Sequence, residues 1–148
     1  MTTQPRQTYP VPDIDGPAHE ALEALRLAQD RIGRVMAAVT AVAVVDILTD
    51  HNRDAPFDAA HAELIEATDG SLRATGRYWT ASGEEKTFAE TVGDYSAYSA
   101  VHDANEWVEY MGYDNEHVWK PLVERLENRG GQRIYRLDLR KAAALPLD

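Results

Sequence analysis

The chain has 148 residues, no cysteine and a formal net charge of −10. That length can bury a core without staples, whereas disulfides, thiolate metal sites and a cysteine nucleophile are excluded. Hydrophobic residues at 44% and charged residues at 27% exclude wholesale disorder, and the acid excess disfavours direct contact with nucleic-acid phosphates.

Residues 1–16 carry Pro5, Pro10 and Pro12 without apolar periodicity and read as a flexible N-terminal arm ahead of a single α+β domain over 17–148. The arm lacks an apolar secretory segment, so a cytoplasmic location is expected. Asp15-Gly16-Pro17 suits a helix start, with Pro in the first turn and Glu20 and Glu23 near the positive end of the helix dipole. Leu22, Leu25, Ile32, Met36 and Val39 share a helical spacing broken only by Gln29, which predicts an amphipathic helix from 17 to about 38 with these residues inward.

From 39 to 49, β-branched Val39, Thr40, Val42, Val44, Val45 and Ile47 favour a strand, while Ala41 and Ala43 favour continued helix. A single helix over 17–50 would be about 51 Å long, against a radius of gyration of about 15 Å for a compact chain of this size. It would bend or divide at Gly33, or bury its overhang against a second subunit. Met36, Val39, Val42 and Ala43 form the expected dimer seam. The apolar run 35–45 is shorter than the roughly 20 residues of a membrane span, so no membrane partner is expected.

Residues 52–58 have turn chemistry. The stretches 61–68 and 71–80 flank Asp69-Gly70, a two-residue hairpin signature. Gly76 predicts a bulge in the second strand, and Ala81-Ser82-Gly83 turns the chain into a third strand over 84–88. Asp94 is the expected N-cap of a helix over 95–111, with Tyr98, Val101, Val108 and Met111 inward and Gly112 as its stop. Asp114 or Asn115 starts a further helix, interrupted near Pro121, with Leu122, Val123 and Leu126 inward and Gly130-Gly131 at its end. Alternation through 133–139 predicts a strand with Tyr135, Leu137 and Leu139 on one face. The expected fold class is α+β: a long N-terminal helix packed with a small antiparallel sheet, made of the 61–88 meander and a C-terminal strand at 132–140, plus two further helices.

No motif names a reaction. His61-Ala62-Glu63 matches the His-x-Glu of zinc deaminases, but that scheme needs cysteine ligands the chain lacks. His102 and Glu106 stand one helical turn apart and could hold a metal or act as an acid–base pair. No His-Glu-x-x-His completes that pattern, so a solvated acidic face is the simpler reading and no cofactor is expected. Nucleophile elbow, phosphate loop and dinucleotide fingerprint are all absent. Residues 87–119 contain no Lys or Arg, and their carboxylates alternate with aromatics.

Tyr95, Tyr98, Glu106, Trp107, Glu109, Tyr110 and Tyr113 therefore form an expected contact face for an unidentified, basic protein partner. The favoured reading is a non-enzymatic protein-interaction module of the inhibitor or mimic type, with a homodimer through the long helix as an option. The alternative is a small-molecule enzyme or ligand-binding protein with a site around His102, Asp103 and Glu106. Nucleic-acid binding by Arg129, Arg133, Arg136 and Arg140 is weaker still, because Asp138 dilutes that stripe.

Overall fold

In a computed structural model, which describes residues 4–148, the N-terminal pattern forms one unbroken helix, α1 (Asp15–Thr49). Its 35 residues span about 52 Å. Residues 4–14 are exposed and carry neither helix nor strand, and the first three residues of the predicted arm lie outside the described part. Helix wins over strand at 39–49 because Thr40, Ala41 and Val44 fall on the same face as Gly33 and Ala37, and this face is buried. The helix ends at Asp50 and His51, both in the left-handed region (φ 53° and 64°). There Arg53 reaches back to Asp46, Nε to Oδ1, at 3.1 Å.

The predicted inward stripe of α1 is corrected. Leu22 and Leu25 are 63% and 56% exposed, and Ile32 and Val39 are only half-buried; of the five, Met36 alone packs against the core. Close approach to the body selects the small-residue face instead. Gly33 is not a hinge either: a Cβ there would lie 3.0 Å from the Cβ of both Asn115 and Val118, so the missing side chain is what admits these neighbours. An 18-residue window of α1 has a mean hydropathy of 1.8 and is long and apolar enough to cross a membrane, yet 33% of it is buried within the fold.

The sheet comprises β1 (Ala59–Glu66), β2 (Leu72–Thr80), β3 (Glu85–Thr87), β4 (Val123–Arg125) and β5 (Ile134–Asp138), antiparallel throughout in the order β3-β2-β1-β5-β4. The β1–β2 connection is longer than a two-residue turn: Ala67 N–H donates to Ser71 O at 2.8 Å, and Asp69 Oδ1 accepts from Ser71 N at 2.9 Å. The bulge stands where Gly76 predicted it. Ala62 pairs with Tyr78 but Leu64 with Ala74, and Gly76 takes φ +93°. Alternation puts Ala62, Leu64, Tyr135 and Leu137 into the core beside Ala37, Ala41 and Val44 of α1. Tyr78 stacks on Phe88, and Trp119 meets Tyr135 edge-on.

Four expectations fail after β3. A short helix, α2 (Phe88–Val92), intervenes where none was expected, capped by Thr87 Oγ1 accepting from Glu90 N at 3.4 Å. The next helix, α3 (Asp94–Val108), begins after Gly93, so Asp94 lies in its first turn and does not cap it by a side-chain hydrogen bond. Tyr98 is 78% exposed rather than inward. The helix expected from 114 to 128 breaks into a 3₁₀ turn, α4 (Glu116–Trp119), a second 3₁₀ turn over Lys120–Leu122 containing Pro121, and then β4. Pro121 cannot donate within a helix, and Val123–Arg125 pair with the free edge of β5 instead. The last strand stops at Asp138, whose Oδ1 accepts from Lys141 N at 3.0 Å and caps α5 (Leu139–Ala143).

Candidate interaction surface

Because α1 gives its small-residue face to the core, the shoulder carrying Val35, Val39, Val42 and Ala43 is left over. Together with Ser96, Ser99, Ala100, Ala104 and Trp107 of α3 it encloses an open trough of about 930 Å³. Asp46, Asp50 and Asp103 also line it, and Leu147 joins from the C-terminal tail. That tail is tied to α1 through Arg34, which donates to Pro146 O at 3.2 Å and Asp148 O at 2.8 Å, and through Arg31, which donates to Leu147 O at 3.1 Å. Arg53 holds the Asp46 carboxyl below its usual range, chiefly by hydrogen bonding and then by charge. Of the four predicted seam residues, Val39, Val42 and Ala43 line the trough, whereas Met36 packs against the core.

The acidic, aromatic segment is not one face. At about 100° per residue, α3 sends its side chains around the axis. Tyr95 and Trp107 line the trough. Tyr98 lines a cleft at the β2 bulge. Glu109, Tyr110 and Tyr113 lie around a third hollow of about 330 Å³ with Gln29, Ile32 and Asp69. Glu106 is exposed and lines none of the three.

The bulge cleft, about 440 Å³, is lined by Glu63, which in the sequence stands out only as the acid of an incomplete His-x-Glu motif. The Glu63 side chain is 1% exposed. Its two oxygens accept from Arg129 Nη1 and Nη2 at 3.0 Å each, and Oε1 also accepts from Thr75 Oγ1 at 2.9 Å. Burial alone pushes this carboxyl up, but hydrogen bonds from Arg129 and Thr75 and the charges of Arg129 and Arg77 leave it below its ordinary value. With both oxygens engaged, Glu63 fastens the β4–β5 loop to β1 and is no free base.

Asn105 likewise serves structure, accepting from Ala74 N at 2.7 Å and donating to Ala74 O at 3.1 Å. The sequence signal for Glu63 was an acid flanked by Ala62 and Leu64 in a strand buried on both faces. No local signal marks Arg129 as its partner.

His102 lines this cleft but Glu106 does not, and Asp103 faces the trough, so the predicted trio does not converge. His117 pairs with Asp30 of α1, and His61 sits on β1 opposite Asp138 and Trp79. Among the described residues no three His, Asp or Glu side chains gather as a metal centre. The sequence matches no known family model, and neither a curated protein nor a solved structure matches the chain.

Proposed function

We propose that this chain is a non-enzymatic protein-interaction module that works as a homodimer joined through α1, leaving the carboxylate-rich turn around Glu109 and Asp114 for a basic partner. One observation carries this reading. Residues 15–28 of α1 are exposed on every side, although they continue the helix that floors the trough. Leu22, Leu25 and Leu27 in that projecting half are 63%, 56% and 54% exposed. A free helical segment this short is marginal on its own hydrogen bonds, so an apolar partner surface is its natural support. Sedimentation equilibrium from micromolar to high micromolar concentration tests the reading. A dimer that Leu25→Asp converts to monomer supports it, and a wild-type monomer across the whole range removes it.

The bulge cleft supports a second reading, small-molecule binding, because its volume falls within the range of about 300–1,000 Å³ usual for ligand sites. That reading requires ligand-dependent chemical shifts confined to Thr75, Tyr98 and His102. Their absence in a screen at millimolar ligand retires it.

A further inference from the structure

We infer that the two α1 helices of the dimer pack antiparallel in one register, the projecting half of each lying in the trough of the other. This rests on the dimer reading above and fixes its geometry. Ile14, Ala18, Ala21, Leu25, Ala28, Ile32, Val35, Val39 and Val42 recur along α1 and its N-cap at alternating steps of four and three residues. This is an unbroken heptad seam, which favours left-handed supercoiling with a second helix. None of the nine is buried, because the core uses Gly33, Ala37, Thr40, Ala41 and Val44 from other positions of the repeat. α1 therefore has two apolar faces, and the fold covers only one.

The order of sizes along the seam selects the register. Alanines dominate its projecting half and β-branched residues its trough half. Antiparallel packing with Ala18 opposite Val42, Ala21 opposite Val39, Leu25 opposite Val35 and Ala28 opposite Ile32 couples each trough residue to a partner from the projecting half. Sliding one heptad in one direction would move Asp46, which is already bonded to Arg53, from the end of the seam, where it faces only the N-cap residue Ile14, to a place opposite Ala21 inside it. Sliding the other way would set Val42 opposite Val11, ahead of the helix. A parallel pair would stack alanine on alanine and bring both folded bodies to the same end.

Charge placement agrees with this arrangement. Glu23, Arg26 and Asp30 lie off the seam and pair with one another, Arg26 to Glu23 at 2.7 Å and to Asp30 at 3.2 Å. No charged residue occupies the seam from Ala18 to Val42. On the facing wall, Ser96, Ser99, Ala100 and Ala104 of α3 are small enough for a helix to approach closely. The seam and its flanking positions from Ile14 to Val45 supply about twenty residues, close to the roughly 20–30 a side of a standard protein interface.

The absence of cysteine makes the test clean. Ala18→Cys and Val42→Cys, both at exposed positions, are purified separately, mixed to exchange subunits and oxidised. A disulfide-linked heterodimer in the mixture, with neither variant linking to itself, is expected. Ala21→Cys mixed with Val39→Cys gives an independent second pair should one of the first variants fail to fold. Self-linking of Ala18→Cys, or linking of Ala18→Cys to Val35→Cys in place of Val42→Cys, overturns the register while leaving a dimer. A dimer by sedimentation with no linked product from either pair does the same. A monomer at high micromolar concentration, whether or not it floats with phosphatidylcholine vesicles, overturns both the register and the dimer reading.

Discussion

Arg129→Ala should be costly for a residue whose side chain is 52% exposed. Its guanidinium is the main donor to Glu63, whose carboxylate is 1% exposed and would keep only the Thr75 hydroxyl. Deleting one partner of a fully buried ion pair costs about 3–5 kcal/mol. Here the exposed side of Arg129 gives water a route to the vacated site, so the expected loss is about 2–3 kcal/mol at pH 7.

The pH dependence gives the argument a second handle. The folded carboxyl lies below its ordinary value, so the pair contributes stability above the unfolded pKa of about 4.3, and that contribution is lost as pH falls through the lowered folded value. In Arg129→Ala burial is opposed only weakly, so the native state takes up a proton at higher pH than wild type. The gap between the two proteins should therefore be widest at pH 7 and narrow toward pH 4. Glu63→Gln, which keeps the shape without the buried charge, should lose about 1–2 kcal/mol with little pH dependence over the same range. Urea unfolding followed by the fluorescence of Trp79 and Trp119, both buried, measures all three proteins. A loss below about 0.5 kcal/mol for Arg129→Ala at pH 7, or one as large at pH 4 as at pH 7, would refute the reasoning.

Gly33→Ala gains about 1 kcal/mol of helix propensity, but its Cβ would press on Asn115 and Val118. Asn115 cannot easily yield, since its side chain bonds Gly112 N at 3.0 Å and Tyr110 O at 2.9 Å. The net effect should be a loss of about 1 kcal/mol, and a raised thermal midpoint would contradict it. Gly70→Ala should lose about 1–2 kcal/mol because Gly70 has φ +84°, and its Cβ would also displace the Tyr113 ring. Gly70→Asn should lose less, since Asn tolerates that conformation, and equal urea midpoints for the two variants would contradict the backbone argument.

Local signals made much of this fold legible. The helix start near Asp15, the meander, the bulge at Gly76 and the alternating β5 all follow from residues a few positions apart. What failed depended on partners far along the chain. Periodicity shows which residues of α1 share a face but not which of two apolar faces the core takes, so it points Leu22 and Leu25 inward though they are exposed. Val123-Glu124-Arg125 has no strong intrinsic bias, and its pairing with β5 makes it a strand. The carboxylates and aromatics of 94–114 are close in sequence, but the turns of α3 and the break after Val108 send them to three separate hollows.

The two-faced helix leads to a test of how its work is divided. From residue 4 to Leu27 every residue is exposed, and the first residues of α1 bonded to the rest of the body by their side chains are Gln29, to Asn115 at 3.4 Å, and Asp30, to His117. Removing everything before Ala28 therefore deletes no core contact among the described residues, and the shortened helix still presents Gly33, Ala37, Ala41 and Val44 to the sheet. At a protein concentration low enough to keep the full chain monomeric, the two forms should share a thermal midpoint, differing by less than about 0.5 kcal/mol in stability. At high concentration association stabilises only what can associate, so the full chain's midpoint should rise while that of the truncated chain stays fixed. Parallel rises would place the interface outside the projecting half. A truncated chain already weaker at low concentration would show that this half supports the monomer, although its side chains touch solvent on every side.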